Sequence, residues 1–162
     1  MKRFFAFAFI CMMIFGYFVL PASANAPYHI GICTETVSQA EDDLRGAERA
    51  IREYGDVAHG GMIQHITYPD NFMQEMETVI SQIVGLADDP LMKAIIVNNA
   101  IPGTTEAFRR IKEKRPDILC IAGEAHEDPG VIGSAADLIT NVNNIHRGYL
   151  IPMAAKKMGA TD

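Results

Sequence analysis

Tyr28 to Leu44 reads YHIGICTETVSQAEDDL, and its parts join a strand, a polar loop and an acidic helix start. His29-Ile30-Gly31-Ile32-Cys33 has the length and β-branched content of a buried strand. Thr34-Glu35-Thr36-Val37-Ser38 places three hydroxyls and one carboxylate where that strand must turn. Glu41, Asp42 and Asp43 follow, where negative charge favours the positive end of a helix dipole. In an open parallel sheet, such a corner lies at the carboxyl edge, where ligands bind.

The same alternation runs through the rest of the chain. Ala40–Tyr54 spaces Leu44, Ala47, Ala50, Ile51 and Tyr54 as one helix face, and Gly55 ends it. Met62–Tyr68 reads as a second strand, stopped by Pro69-Asp70-Asn71. Asp70 or Asn71 is expected to cap a second helix, whose stripe is Phe72, Met76, Val79, Ile80, Ile83, Val84 and Ala87. Ala94-Ile95-Ile96-Val97-Asn98 is the clearest strand. Thr104 or Thr105 is expected to cap a third helix, which closes on Lys112, Lys114 and Arg115 before Pro116. Ile118–Ala122 is a fourth strand, Gly123–Ser134 a polar loop, Leu138–Thr140 a fifth strand and Asn143–Met158 a last helix.

Strand–helix alternation with short links predicts an α/β fold, a doubly wound parallel sheet in three αβα layers. Right-handed crossovers with helices on both faces make the strand order 2-1-3-4-5. The unbroken apolar third strand fits a central position buried on both sides.

The first 24 residues follow a different logic. Lys2-Arg3 precede an apolar run from Phe4 to Leu20, and Ala22-Ser23-Ala24 or Ala24-Asn25-Ala26 offers a small-x-small cleavage site. This is the pattern of a secretory signal peptide over residues 1–24. The run of roughly 17 residues is at the lower limit for crossing a bilayer. Its removal takes Lys plus Arg from 14 to 12 against 20 Asp plus Glu, moving the net charge from −6 to −8. So acidic a chain lacks the basic surface that nucleic acid requires. The mature protein is expected outside the cytoplasm, secreted or periplasmic, and not membrane-spanning. It retains Cys33 and Cys120, on strands separated by a third. With strands ~4.8 Å apart, their Cα atoms would lie roughly 10 Å apart, beyond the ~7 Å limit for a disulfide.

Several chemistries fail for want of their residues. The chain has neither G-x-G-x-x-G after its first strand, nor a G-x-x-x-x-G-K-[ST] loop, nor a G-x-S-x-G elbow. Asn98 and Thr140 stand where a phospho-acceptor receiver would need an acid and a lysine. A flavodoxin-like reading matches Thr34-x-Thr36 but meets Glu35 beside the supposed phosphate and Val37 in place of glycine. Glu124, His126, Glu127 and Asp128 cluster after the fourth strand and form the alternative of a metal-assisted hydrolase centred on Glu124, His126 and Asp128. His29, His65 and His146 read as surface residues of strand or helix.

What remains is a polar rim at the carboxyl edge: Thr34, Glu35, Thr36, Ser38, Tyr68, Asp70, Asn71, Asn98, Asn99, Glu124, His126 and Asn141. Such a rim recognises a small polar solute through hydrogen bonds without transforming it. No cofactor is implied.

The export signal, the strand order and this rim resemble the N-terminal lobe of type 1 periplasmic binding proteins. More closely, Tyr28-His-Ile-Gly-Ile-Cys, Ser38-Gln-Ala-Glu-Asp-Asp-Leu-Arg-Gly-Ala-Glu and Thr67-Tyr-Pro-Asp-Asn-Phe-Met resemble an uncharacterised bacterial family of exported proteins. Ala87-Asp-Asp-Pro-Leu-Met-Lys-Ala-Ile, Pro102-Gly-Thr-Thr-Glu-Ala-Phe and Gly123-Glu-Ala-His-Glu-Asp-Pro-Gly extend that resemblance. It implies a non-enzymatic solute-binding protein serving a membrane transporter or receptor, with ligand held between two lobes that close by a hinge. Residues 27–142 would be the first lobe. Residues 143–162 would form the helix leading into a second lobe that this chain is expected to lack, leaving the helix loosely docked or detached, with Pro152 a source of a kink.

Overall fold

The structure, a computed structural model, describes residues 25–160; the expected signal peptide lies outside these residues. Five strands, β1 (His29–Thr34), β2 (Ile63–Thr67), β3 (Met92–Val97), β4 (Leu119–Gly123) and β5 (Leu138–Thr140), form one sheet in the order β2-β1-β3-β4-β5. Every neighbouring pair is parallel. The strand order is the expected one, and so is the α/β class. The intervening helices are α1 (Glu41–Tyr54), α2 (Met76–Gly85), α3 (Thr104–Lys114) and the short α4 (Pro129–Ile132), with α5 (Asn144–Lys157) following β5. Among the described residues, no helix is long and apolar enough to cross a membrane.

Side chains alternate along each strand, so each strand feeds two layers. One layer is the main core. Cys33, Ile95, Val97, Cys120 and Ala122 pack there with Val79, Ile80 and Ile83 of α2 and with Ala107, Phe108 and Ile111 of α3. The opposite layer is smaller: Ile32 and Ile63 meet Ala47 of α1, with Ile30, Ala50 and Ile51 around them. α1 therefore covers β1 and β2 only.

This uneven cover corrects the expectation that β3 is buried on both sides. Met92, Ile95 and Val97 are buried, whereas Ala94 and Ile96 are only half-buried. Their sheet neighbours on the same face are more open still, with Leu119 at 44% and Leu138 at 49% exposure. The pairings Ile32–Ile96, Ile96–Ile121 and Ile121–Leu138 make one lateral apolar row, covered by α1 at its β1 end alone.

The helix starts also differ from expectation, because the residues expected to cap them bond elsewhere. Neither Asp70 nor Asn71 caps α2; the Asp70 carboxylate accepts from Ser38 Oγ at 2.7 Å, and Asn71 Nδ2 donates to Glu75 Oε1 at 2.5 Å. α2 begins at Met76 in consequence. Neither Thr104 nor Thr105 caps α3. The Thr104 hydroxyl turns back to the Ile101 carbonyl at 2.7 Å, while Glu127 accepts the Gly103 N–H at 2.6 Å and the Thr105 hydroxyl. The expected loop Gly123–Ser134 contains α4, capped by Asp128 through the N–H groups of Gly130 and Val131.

Two of the three histidines read as surface residues are partly buried. His29 Nδ1 lies 2.5 Å from Asp89 Oδ2, and His65 Nε2 lies 2.9 Å from the Thr34 hydroxyl. Cys33 and Cys120 are buried and free on strands flanking β3. Burial pushes the Cys33 thiol up to about 12 and the Cys120 thiol up to about 11, so neither is a ready nucleophile.

Phe108 is fully buried where α3 meets the sheet. Phe108→Ala is expected to cost about 3–5 kcal/mol, from lost transfer energy and the cavity left behind. Urea unfolding monitored by circular dichroism measures this; a loss under about 1 kcal/mol would show that the main core is not organised around that ring.

Candidate functional site

The ends of β4 and β5, the loops after β3, β4 and β5 and the first turn of α1 meet at the carboxyl edge of the sheet. They enclose an open cavity of about 240 Å³ lined by Asp43, Asn98, Asn99, Gly123, Glu124, Thr140, Asn141 and Val142. The strands bring these residues together from across the sequence. Ala122 pairs with Val97 and Gly123 with Thr140, so the residues that follow emerge side by side.

Asn99 is the hub. Its Nδ2 donates to Asp43 Oδ2 at 2.9 Å and to Glu35 Oε2 at 3.0 Å. Its Oδ1 lies 3.3 Å from His126 Nε2, and its backbone carbonyl accepts the Tyr68 hydroxyl at 3.3 Å. Its backbone is left-handed, with φ of 47°, and Glu124 shares that conformation with φ of 42°. Non-glycine residues adopt it at a cost of order 1–3 kcal/mol, and such residues concentrate at ligand sites. Gly123 has its own constraint: a Cβ there would approach Asn98 Oδ1 to 2.8 Å, so glycine lets the Asn98 amide lie over β4.

The site is rich in hydrogen-bond acceptors. Asp43 and Glu124 line it and Glu35 reaches it through Asn99, and among the described residues no lysine or arginine lines it. Asp43 shows the consequence: burial first, then the charges of Asp42, Glu35 and Glu124, raise its carboxyl above the ordinary range.

The predicted rim divides into three groups. Asn98, Asn99, Glu124 and Asn141 line the cavity, with Glu35 and His126 touching it through Asn99. Thr36, Ser38 and Asp70 form a separate exposed cluster; both hydroxyls bond to Asp70 and hold its carboxyl below the usual range. The neighbouring Asn71 is occupied with Glu75. Thr34 and Tyr68 are inside the fold, at 0% and 1% exposure, and support the edge from beneath. Thr34 bonds to His65 and the Glu35 carbonyl, and Tyr68 stacks edge-on against Phe72 at 5.5 Å.

The two alternative chemistries meet specific obstacles. Asp128 and Glu127 are spent on the N-termini of α4 and α3, which separates them from Glu124 and His126. Among the described residues, no three His, Cys, Asp or Glu side chains are grouped to hold a metal ion. The flavodoxin-like loop sets its Thr36 and Ser38 hydroxyls on the Asp70 carboxylate, a charge that repels phosphate.

Sequence alone does not mark Asp43 as a site residue, because the helix dipole already explains an acid at its place in the first turn of α1. Thr140, Gly123 and Val142 carried no local signal either. Only their place at or just past the carboxyl end of a strand could have marked them.

A five-stranded parallel α/β domain with a polar cavity at its carboxyl edge is the class that fold and site define. By sequence, the chain belongs to the family described as "Protein of unknown function (DUF3798)", whose model matches residues 28–162. It is 44% identical over 135 residues to an uncharacterised protein of Treponema pallidum (strain Nichols), an alignment covering 82% of this chain and 61% of that one. A second uncharacterised protein of the same organism is 41% identical over 78 residues, covering 48% of this chain and 36% of its own length. A crystal structure described as a "Putative transcriptional regulator" from Clostridium difficile 630 superposes with a TM-score of 0.66 at 28% identity, covering 82% of this chain and 38% of that one. The chain thus spans about three fifths of the first of these relatives and under two fifths of the second.

Asp43 gives the site a pH signature. Between the ordinary aspartate value and its raised value, the folded chain holds a proton that the unfolded chain has released, so stability falls as pH rises through that window. Asp43→Asn is expected to remove this slope from urea-unfolding data, and Glu124→Gln to reduce it. An NMR titration placing the Asp43 midpoint at or below the ordinary value would contradict the burial described.

Proposed function

We propose that this chain forms one wall of the binding site of an extracytoplasmic solute-binding protein, and that its ligand is a small molecule rich in hydrogen-bond donors. The observation that carries this reading is the cavity at the carboxyl edge, where Asp43, Asn98, Asn99, Glu124, Thr140 and Asn141 converge. Carboxylates only accept hydrogen bonds, and among the described residues no lysine or arginine lines the cavity beside them. A ligand with several hydroxyl or ammonium groups satisfies them; a phosphate or carboxylate meets repulsion.

The size of the cavity supports a second wall. Sites that bury a whole ligand run to about 300–1,000 Å³, and this one is an open cavity of about 240 Å³. The first relative extends well beyond the 61% of its length that aligns, which leaves room for a second lobe in that protein, and a hinge between two such lobes would close them over a solute. The apolar run Phe4–Leu20 after Lys2-Arg3 supports export, and a membrane transporter or receptor would then receive the loaded protein.

A second reading takes the description of the Clostridium difficile neighbour at its word and makes the domain the sensing lobe of a regulator. The ligand site is the same in both readings and the partner differs. A net charge of −6 argues that DNA contact, if any, belongs to other chain.

A thermal-shift screen tests the ligand class. Neutral polyols and organic amines form one panel, and carboxylates and phosphates of similar size the other. Saturation at a hundredfold excess over Kd stabilises by about 2.7 kcal/mol, a shift of several degrees. Hits are expected in the first panel only, and Asp43→Ala should abolish them. Stabilisation by the anions alone would overturn the proposal.

A further inference from the structure

Two side-chain amides of the edge cavity turn their donors onto one carboxylate. Asn98 Nδ2 faces Asp43 Oδ1 at 3.5 Å, and Asn99 Nδ2 donates to Asp43 Oδ2 at 2.9 Å. An amide that gives its NH2 to a carboxylate presents its oxygen on the other side. For Asn99 that oxygen lies against His126 Nε2. For Asn98 it lies over Gly123: a Cβ on Gly123 would sit 2.8 Å from Asn98 Oδ1 and 3.6 Å from Thr140 Oγ1. Two oxygens from different strands thus converge above a residue without a side chain, and Glu124 follows it in the same cavity wall. Among the described residues, no protein group donates a hydrogen bond to Asn98 Oδ1, Thr140 Oγ1 or the Glu124 carboxylate.

We propose that the space over Gly123 is a cradle for a primary ammonium group of the ligand, with Asn98 Oδ1, Thr140 Oγ1 and Glu124 as its acceptors. The inference rests on the solute-binding reading above and narrows it from donor-rich molecules in general to one charged head group. An ammonium carries three donors and no acceptor, which matches three acceptors that the protein leaves unpaired. A hydroxyl carries one donor and brings lone pairs of its own toward the carboxylates.

Charge points the same way as donor count. Hydrogen bonds from an ionised donor are about twice as strong as neutral ones. Asp43 sits behind the cradle, where burial and the charges of Asp42, Glu35 and Glu124 disfavour its ionised form. A cation relieves that crowding of negative charge, and a neutral hydroxyl leaves it in place. Gly123 is what makes room: any side chain there displaces the Asn98 amide and fills the cradle itself. The arrangement also asks for N–H donors and not for charge alone, because its acceptors are single oxygens aimed at one point. A quaternary ammonium has the charge and lacks the donors.

NMR titration of the mature chain at constant ionic strength tests this, with ethanolamine, ethylene glycol and choline as probes. The first two differ by an ammonium for a hydroxyl, and choline keeps the charge without N–H groups. Ethanolamine is expected to shift the side-chain amides of Asn98 and Asn99 and the backbone amides of Gly123 and Glu124 saturably. It is expected to bind at least tenfold more tightly than either of the others. Gly123→Ala should weaken ethanolamine at least tenfold and Thr140→Val several-fold, with the β1 and β3 signals as the control for folding. Thr140 is exposed, so Thr140→Val decides the matter where Gly123→Ala does not fold. Ethylene glycol binding as tightly as ethanolamine overturns the cradle and leaves the solute-binding reading standing. Choline binding as tightly, or ethanolamine affinity unchanged in the folded variants, overturns the cradle as well. No saturable shift from any of the three probes overturns both readings.

Discussion

Parallel pairing of β3 between β1 and β4 is the constraint on which the rest of this structure depends. Parallel neighbours cannot be joined by tight hairpins, so each connection must cross the sheet as a helix. All five strands then run the same way and deliver their carboxyl ends to one edge. Cys33 and Ala122 both pair with Val97, which levels the three central strand ends to within a residue. Asn98, Asn99 and Glu124, distant in sequence, become neighbours for this reason alone. The Ala100 N–H donating to the Gly123 carbonyl at 2.9 Å, and the Glu124 N–H to that of Thr140 at 2.8 Å, continue the ladder into the loops that form the cavity.

Stability and site chemistry oppose each other at that edge. Left-handed backbone at Asn99 and Glu124, a partly buried Asp43 and converging carboxylates all raise the free energy of the folded state. Asn99 offsets part of this by donating to two of those carboxylates at once. The main core supplies the rest, since Ile95, Val97, Phe108 and Ile111 are fully buried. Such an edge is unfavourable in isolation and relieved by a partner that brings hydrogen-bond donors.

The fold was legible because its signals are local. Apolar runs such as Ala94–Val97 and helix stripes such as Val79, Ile80 and Ile83 state their period within a few residues, and strand–helix alternation then restricts the topology. The site was legible only as a list of strand ends. Which of those residues face the cavity depends on partners far along the chain. Asp70 turns to Ser38 instead of capping α2, and Glu127 takes the N-terminus of α3 from Thr104 and Thr105. Tyr68 follows β2 just as a rim residue should, yet its ring stacks on Phe72 inside the core. Asp43 shows the reverse case: helix-dipole chemistry explained it so well that its second role, accepting from Asn99, had no separate mark.

The misjudged burial of β3 is informative in its own right. Its unbroken apolar sequence anticipates a layer on each face, and the described fold supplies one complete layer and half of another. α1 reaches Ile32 and Ile63 but leaves Ile96, Ile121 and Leu138 partly open. That open strip lies on the strands whose ends build the cavity, and it runs up to Thr140 in the cavity wall. Whatever covers the strip must therefore approach the cavity as well. Burial of apolar surface, the larger and non-directional term, would dominate the affinity of any such contact. The carboxylates at its upper end would favour hydrogen-bond donors over anions in anything placed there.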